Sequence, residues 1–196
     1  MSARKYFIVS HDRNKSLPGL ILINESTIST SGDPTFVLRD SSVRGFPPTK
    51  EVPYIKYIKS RGRKPKEFEK FRDFWLITNR VKEFLESVDA EAFVFMSCRT
   101  CIEGHESDGE YWICDVVRTI NALDELKSDI SIDYVGGKKL YNLIGSERYL
   151  FLEEKIQSNI IFRMQFAWHK VICNDIFREK CQKKQIKGLT FINCGR

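Results

Sequence analysis

Short apolar runs separated by polar or Pro- and Gly-bearing stretches dominate the chain, and one arrangement of them occurs twice. Leu76-Ile77-Thr78-Asn79, Val81 to Leu85, and Ala92-Phe93-Val94-Phe95-Met96 are echoed by Val171-Ile172-Cys173-Asn174, Ile176 to Cys181, and Gly188-Leu189-Thr190-Phe191-Ile192. Each copy reads as an apolar strand, an Asn, a helical stretch and a second apolar strand. Val81, Phe84, Leu85 and Val88 recur at helical spacing, which lays one apolar stripe along the first helix and turns Lys82, Glu83 and Glu86 to water. Ile176, Phe177 and Cys181 keep part of that stripe in the second helix, while Lys180, Lys183, Lys184 and Gln185 make it largely solvent-facing. In both copies the Asn is expected to cap its helix by accepting a hydrogen bond from a first-turn amide. A crossover of about a dozen residues is long enough to join parallel neighbours, so each copy is expected to be a strand-helix-strand unit.

Around these units, Tyr6 to Val9, Leu20 to Ile23 and Phe36-Val37-Leu38 read as strands, and Asn24 to Pro34 as a loop. Between Arg44 and Lys66, four prolines (Pro47, Pro48, Pro53, Pro65) with Gly45 and Gly62 exclude a long helix. That stretch sets the expected division: residues 1–66 form an N-terminal strand and loop region, and residues 67–196 an α+β domain. Phe93 to Ser97 and Tyr111 to Val117 read as strands joined across the polar stretch Glu103 to Glu110, a hairpin with a long acidic tip. Ile130 and Ile132 alternate with polar residues before a Gly136-Gly137 turn, and Leu150 to Leu152, Ile160 to Phe162 and Val171-Ile172 supply further strands. The expected fold class is therefore α+β: a mixed sheet with two similar strand-helix-strand units and a long acidic hairpin.

A chain of 196 residues with 42% hydrophobic content can bury a core, which argues against disorder. No run approaches the ~20 apolar residues that span a bilayer, and Met1 to Ser10 lacks the features of a secretory signal, so a cytoplasmic location is expected. Six cysteines in such a chain are expected to stay reduced. The net charge of +6 hides a partition, because residues 71–135 hold 6 Lys and Arg against 14 Asp and Glu while both flanking segments are basic.

Cys98, Cys101, His105 and Cys114 place four zinc-type donors close together in sequence, but their spacing matches no common zinc knuckle, and small core cysteines are the competing reading. Arg61-Gly62-Arg63-Lys64 resembles the short basic hook that enters the minor groove of A·T-rich DNA, but a solvated interdomain linker is the favoured reading, because charged Pro- and Gly-bearing stretches commonly mark boundaries. The acidic tip, with Glu103, Glu106, Asp108 and Glu110, is a candidate surface for a basic partner, since complementary fields speed encounter and penalise wrong partners. Gly136-Gly137-Lys138-Lys139 lacks the remainder of a phosphate-binding loop, and no nucleophile elbow, zinc-protease helix or dinucleotide fingerprint occurs. Neither a catalytic set nor a cofactor is expected.

From Phe74 to Ile192 the order of features resembles the immunity-family-eleven proteins of bacterial polymorphic toxin systems. The resemblance is carried by Leu76 to Lys82 with Phe93-Val94-Phe95, by Tyr111-Trp112-Ile113 through Asn121-Ala122-Leu123-Asp124, by Val171 to Asp175, and by the closing Gly188-Leu189-Thr190-Phe191. It implies a non-enzymatic protein that binds one cognate toxin and silences it by steric occlusion, protecting the producing cell. The alternative from the residues themselves is nucleic-acid binding through Arg61, Arg63 and Lys64.

Overall fold

The computed structural model describes residues 4–11, 17–28, 43–46, 48–145 and 148–195; the expected strand at Phe36 to Leu38 lies outside them. In chain order the strands are β1 (Tyr6–His11), β2 (Leu20–Leu22), β3 (Tyr54–Tyr57), β4 (Phe68–Phe71), β5 (Phe74–Thr78), β6 (Phe93–Ile102), β7 (His105–Val116), β8 (Thr119–Ile120), β9 (Ser131–Val135), β10 (Lys138–Asn142), β11 (Ile161–Met164), β12 (Val171–Asn174) and β13 (Leu189–Asn193). Three short helices accompany them: α1 (Asn79–Asp89), α2 (Glu153–Ile156) and α3 (Asp175–Lys183). The class is mixed α+β, mostly strand.

The chain divides into two compact units. One comprises Met1–Ser10, Val116–Gln185 and Thr190–Arg196, and the other His11–Asp115 and Ile186–Leu189. Residue 66, where composition suggested a break, falls inside the second of these, because backbone bonds such as Arg63 N to Leu17 O (3.2 Å) and Gly19 N to Arg63 O (3.1 Å) tie the Pro- and Gly-bearing stretch to the segment before β2. Gly19 and Gly62 allow this approach. A Cβ on Gly62 would lie 2.2 Å from the Leu17 carbonyl oxygen, and one on Gly19 would lie 2.2 Å from that of Ile58.

The unit containing His11–Asp115 holds a six-stranded sheet in the order β2-β3-β6-β7-β5-β4. β3 pairs with β6 in parallel, and β2 with β3, β4 with β5, and β5 with β7 antiparallel. The sheet curls, since residues of both edge strands, β2 and β4, line a single groove. Leu22, Ile55, Phe71, Phe74, Leu76 and Ile113 form the centre of its core. Helix α1 packs on β5 and β6, burying Val81, Phe84 and Leu85 and leaving Val88 half-buried at the end of the stripe.

The other unit holds a five-stranded sheet, β13-β1-β12-β11-β8, and a separate two-stranded ribbon of β9 and β10 turned by Gly136 and Gly137 at positive φ. Tyr6, Ile8, Phe162, Met164 and Ile172 fill its core with Tyr141 and Tyr149. Leu150 to Leu152 makes only an isolated bridge, Leu123 to Phe151, in place of the expected strand. Ile176 is 43% exposed, whereas Phe177 and Cys181 are buried, so the second helical stripe is narrower than its sequence suggested.

The strands on either side of each longer helix are not neighbours. β7 lies between β5 and β6, and β1 lies between β12 and β13. A third strand from elsewhere in the chain thus completes each crossover. The two Asn residues also part company. Asn174 caps α3, its Oδ1 accepting from the Phe177 amide at 3.1 Å. Asn79 is instead the first residue of α1, where its Oδ1 accepts from Trp112 Nε1 (3.2 Å) and its Nδ2 donates to Glu83 (2.8 Å), and Thr78 occupies the cap position without a side-chain bond.

Candidate functional site

The acidic segment is not an open loop. Strand β6 runs to Ile102 and β7 starts at His105, so only Glu103 and Gly104 turn the chain, both at positive φ (54° and 83°). The remaining acidic residues lie within β7, where successive side chains point to opposite faces. Ser107, Gly109, Tyr111 and Ile113 take the more covered positions, while Glu106, Asp108 and Glu110 are exposed at alternate positions. Glu106 and Asp108 therefore share one face, spaced by about 7 Å along the strand, whereas Gly109 at φ 78° interrupts the alternation and Glu110 turns to Ser107.

Their compensation is uneven. Glu106 accepts from Tyr54 Oη at 2.9 Å and pairs with Arg99, whose guanidinium carbon lies 4.9 Å from the centre of the Tyr54 ring. The bond from Arg99, then the one from Tyr54, holds the Glu106 carboxyl below the usual carboxylate range, and the same Glu106 bond raises the Tyr54 phenol. Glu110 accepts from the Ser107 hydroxyl at 2.8 Å, and Glu103 pairs with Lys64 Nζ at 2.6 Å. Asp108 has no hydrogen bond or ion pair among the described residues.

Beside this ladder lies a groove of about 530 Å³, lined by Glu51, Tyr54, Ser97, Arg99 and Asp108 among others. Asn24 braces its wall: Oδ1 accepts from the Tyr54 amide (2.9 Å), and Nδ2 donates to Glu51 (3.0 Å) and to the Val52 carbonyl (3.0 Å). Thr27 also donates to Glu51, at 3.0 Å. The groove is thus preformed and carries anionic groups from two chain segments. Neither Glu51 nor Arg99 belongs to a sequence motif, and no local signal marks them, because their relation to Asp108 arises only when β3 and β7 are placed on either side of β6.

The basic candidates do not form a free hook. Arg63 makes a bidentate pair with Glu69, a carboxylate only 1% exposed, in which Nη2 lies 2.9 Å from Oε2, and Glu69 also accepts from the Lys66 amide at 2.7 Å. Lys64 is engaged with Glu103. Of the three, only Arg61 extends from the surface without a partner among the described residues. A side chain committed to a buried carboxylate cannot also insert into a DNA groove, so the Arg-Gly-Arg sequence is structural at its second arginine.

The cysteine candidates are likewise dispersed. Cys98, Cys101 and Cys114 are buried and His105 is exposed, and among the described residues no three His, Cys, Asp or Glu side chains are placed to hold a metal ion. Cys98 donates its thiol hydrogen to the Tyr111 carbonyl (3.1 Å), and burial pushes its pKa up to about 12. Burial does the same for Cys181 and Cys194, and also raises Cys173 well above its ordinary value, so these thiols are poor nucleophiles in the folded chain. No helix among the described residues is long and apolar enough to cross a membrane.

No curated protein matches the chain in sequence. The sequence profile of the immunity protein family Imm11 matches residues 5–196, taking in the N-terminal segment as well as the part from Phe74 onward. The chain belongs to the Imm11 immunity protein family.

Proposed function

We infer from membership of an immunity family that the chain protects against a toxin and binds a toxin partner. We propose that this chain neutralises a cognate bacterial toxin by steric occlusion, presenting the β7 carboxylate ladder and the adjoining groove to a basic surface on the toxin. The observation that carries the reading is the run of exposed carboxylates Glu106, Asp108 and Glu110 along β7, of which Asp108 makes no hydrogen bond or ion pair among the described residues. Like charges held in register repel one another, and a cationic partner relieves that repulsion on binding. The strand backbone is already ordered, so little conformational entropy is lost on association. The reading assigns no turnover to the chain and places its action in the cytoplasm of the producing cell. Occlusion suits a toxin with a basic active surface, such as one acting on a polyanion.

The test is co-expression with the toxin encoded beside the gene. The wild-type chain should restore growth, and Asp108→Lys with Glu110→Lys should abolish rescue and slow association by roughly tenfold or more at low salt. A toxin that still kills while the wild-type chain is abundant and folded would sink the proposal. Gel shifts across a salt series address the nucleic-acid alternative: with Arg63 held by Glu69, no shift of duplex DNA is expected even at low salt.

A further inference from the structure

A second groove, of about 460 Å³, opens where the curled sheet fails to close. Its walls are the two edge strands, β2 through Leu20, Ile21 and Leu22, and β4 through Lys70 and Phe71. Among the described residues, β2 is hydrogen-bonded to a strand on one side only. Ile23 N donates to Tyr54 O (2.8 Å) and Gly19 O accepts from Ile58 N (2.7 Å), so by the alternation of an antiparallel ladder the Leu22 amide and the Leu20 and Leu22 carbonyls face away from β3. An unpaired edge of this kind is a template for another strand. One end of the groove is fixed by a clamp: Arg72, at φ 57°, reaches across to Glu25 with both guanidinium nitrogens at 2.7 Å. The rim carries Arg61 and Lys70, both exposed and neither with a partner among the described residues. Its apolar part is supplied by Leu20, Leu22 and Phe71, and by Leu17, which is 66% exposed.

We propose that this groove binds an extended acidic segment of the toxin, added as a strand along the free edge of β2, with an apolar side chain over Leu20 and Phe71 and a carboxylate between Arg61 and Lys70. The inference rests on the toxin-binding reading and extends it to a second contact of opposite charge. Main-chain bonds to β2 supply affinity that is indifferent to sequence, and the two cations select for acidic segments. A second copy of this chain is a poorer occupant. An isologous pairing would set β2 against β2 and bring the Arg61 and Lys70 cations of both copies to one seam.

The experiment uses the full chain and the toxin encoded beside its gene, together with overlapping twelve-residue peptides covering that toxin. One acidic, apolar peptide should bind the wild-type chain, protect the Leu22 amide from hydrogen exchange, and lose about tenfold in affinity at low salt on Arg61→Glu with Lys70→Glu. The same double variant should slow association of the intact toxin, and circular dichroism should show it folded, since both positions are exposed. If the toxin binds the wild type but no peptide does, or the bound peptide tolerates the reversal, or Leu22 exchange is unchanged, this inference falls while the proposed function stands. A dimer of the chain that dissociates on the reversal also overturns it. If the intact toxin fails to bind the wild-type chain, both fall together.

Discussion

A carboxylate can be buried where a cation and backbone amides surround it, and Glu69 meets that condition through Arg63 and the Lys66 amide. Removing one partner leaves the charge stranded, so Arg63→Ala should lower stability by on the order of 3 kcal/mol in urea denaturation. Lys64→Ala breaks only a solvent-screened pair whose side chains are each 57% exposed, and should cost far less than Arg63→Ala. Reversal of that order would show that Arg63 is not the anchor of this stretch. The two helix-start asparagines make a matched pair. Asn174, fully buried and capping α3, should cost about 1–2 kcal/mol on replacement by Ala. Asn79, exposed and already inside α1, should cost less than half of that, as the ratio of the two thermal shifts will report. A helix-start Asn was legible from the sequence at both sites. Which of them caps was not, because the assignment depends on whether the chain enters the helix at that residue or one before it.

At the scale of elements, the β6–β7 connection departs from its sequence expectation for a definite reason. Ser, Asp and Gly between charged residues have the composition of a loop, yet they continue β7, with Glu106 and Asp108 on the open face, Ser107 turned to Thr100, and Gly109 at φ 78° interrupting the alternation. With no apolar residue between His105 and Glu110, the sequence offers no period-two hydropathy signal to set against turn propensity. The true turn is Glu103-Gly104, with positive φ at both positions, the geometry in which Asn-Gly is favoured. Glu103→Asn should therefore raise stability by about 0.5 kcal/mol, measured as an increase in melting temperature, despite losing the exposed pair with Lys64. A decrease would mean that the Lys64 contact outweighs the backbone strain. The buried stripe of α1, by contrast, could be read from spacing alone, because a helix fixes which residues share a face before any partner is known.

At the scale of the molecule, three carboxylates among the described residues are held below the ordinary value of 4.5: Glu25 by Arg72, Glu106 chiefly by Arg99, and Glu125 by Lys139 and then Tyr141. Each has a lower pKa folded than unfolded, so its contribution is fully present above the unfolded value and disappears as pH falls through the folded one. Thermal unfolding should consequently be insensitive to these groups between pH 5 and 7 and shift to lower temperature as pH drops below about 4.5. Glu125→Gln should be destabilised at pH 7 and show a smaller acid-induced change than the wild type. An equal acid response in that variant would remove Glu125 from the set. By itself, the sequence determined the class of fold, the helix faces, several strands and the family, since periodicity and short-range order are local properties that survive without knowledge of partners. Tertiary structure alone decided that Arg63 serves Glu69, that β7 separates β5 from β6, that Asp108 stands beside Glu51 and Arg99, and that the sheet leaves β2 and β4 facing one groove. Those relations join residues far apart in the chain, and strand order and burial, which no local pattern specifies, bring them together.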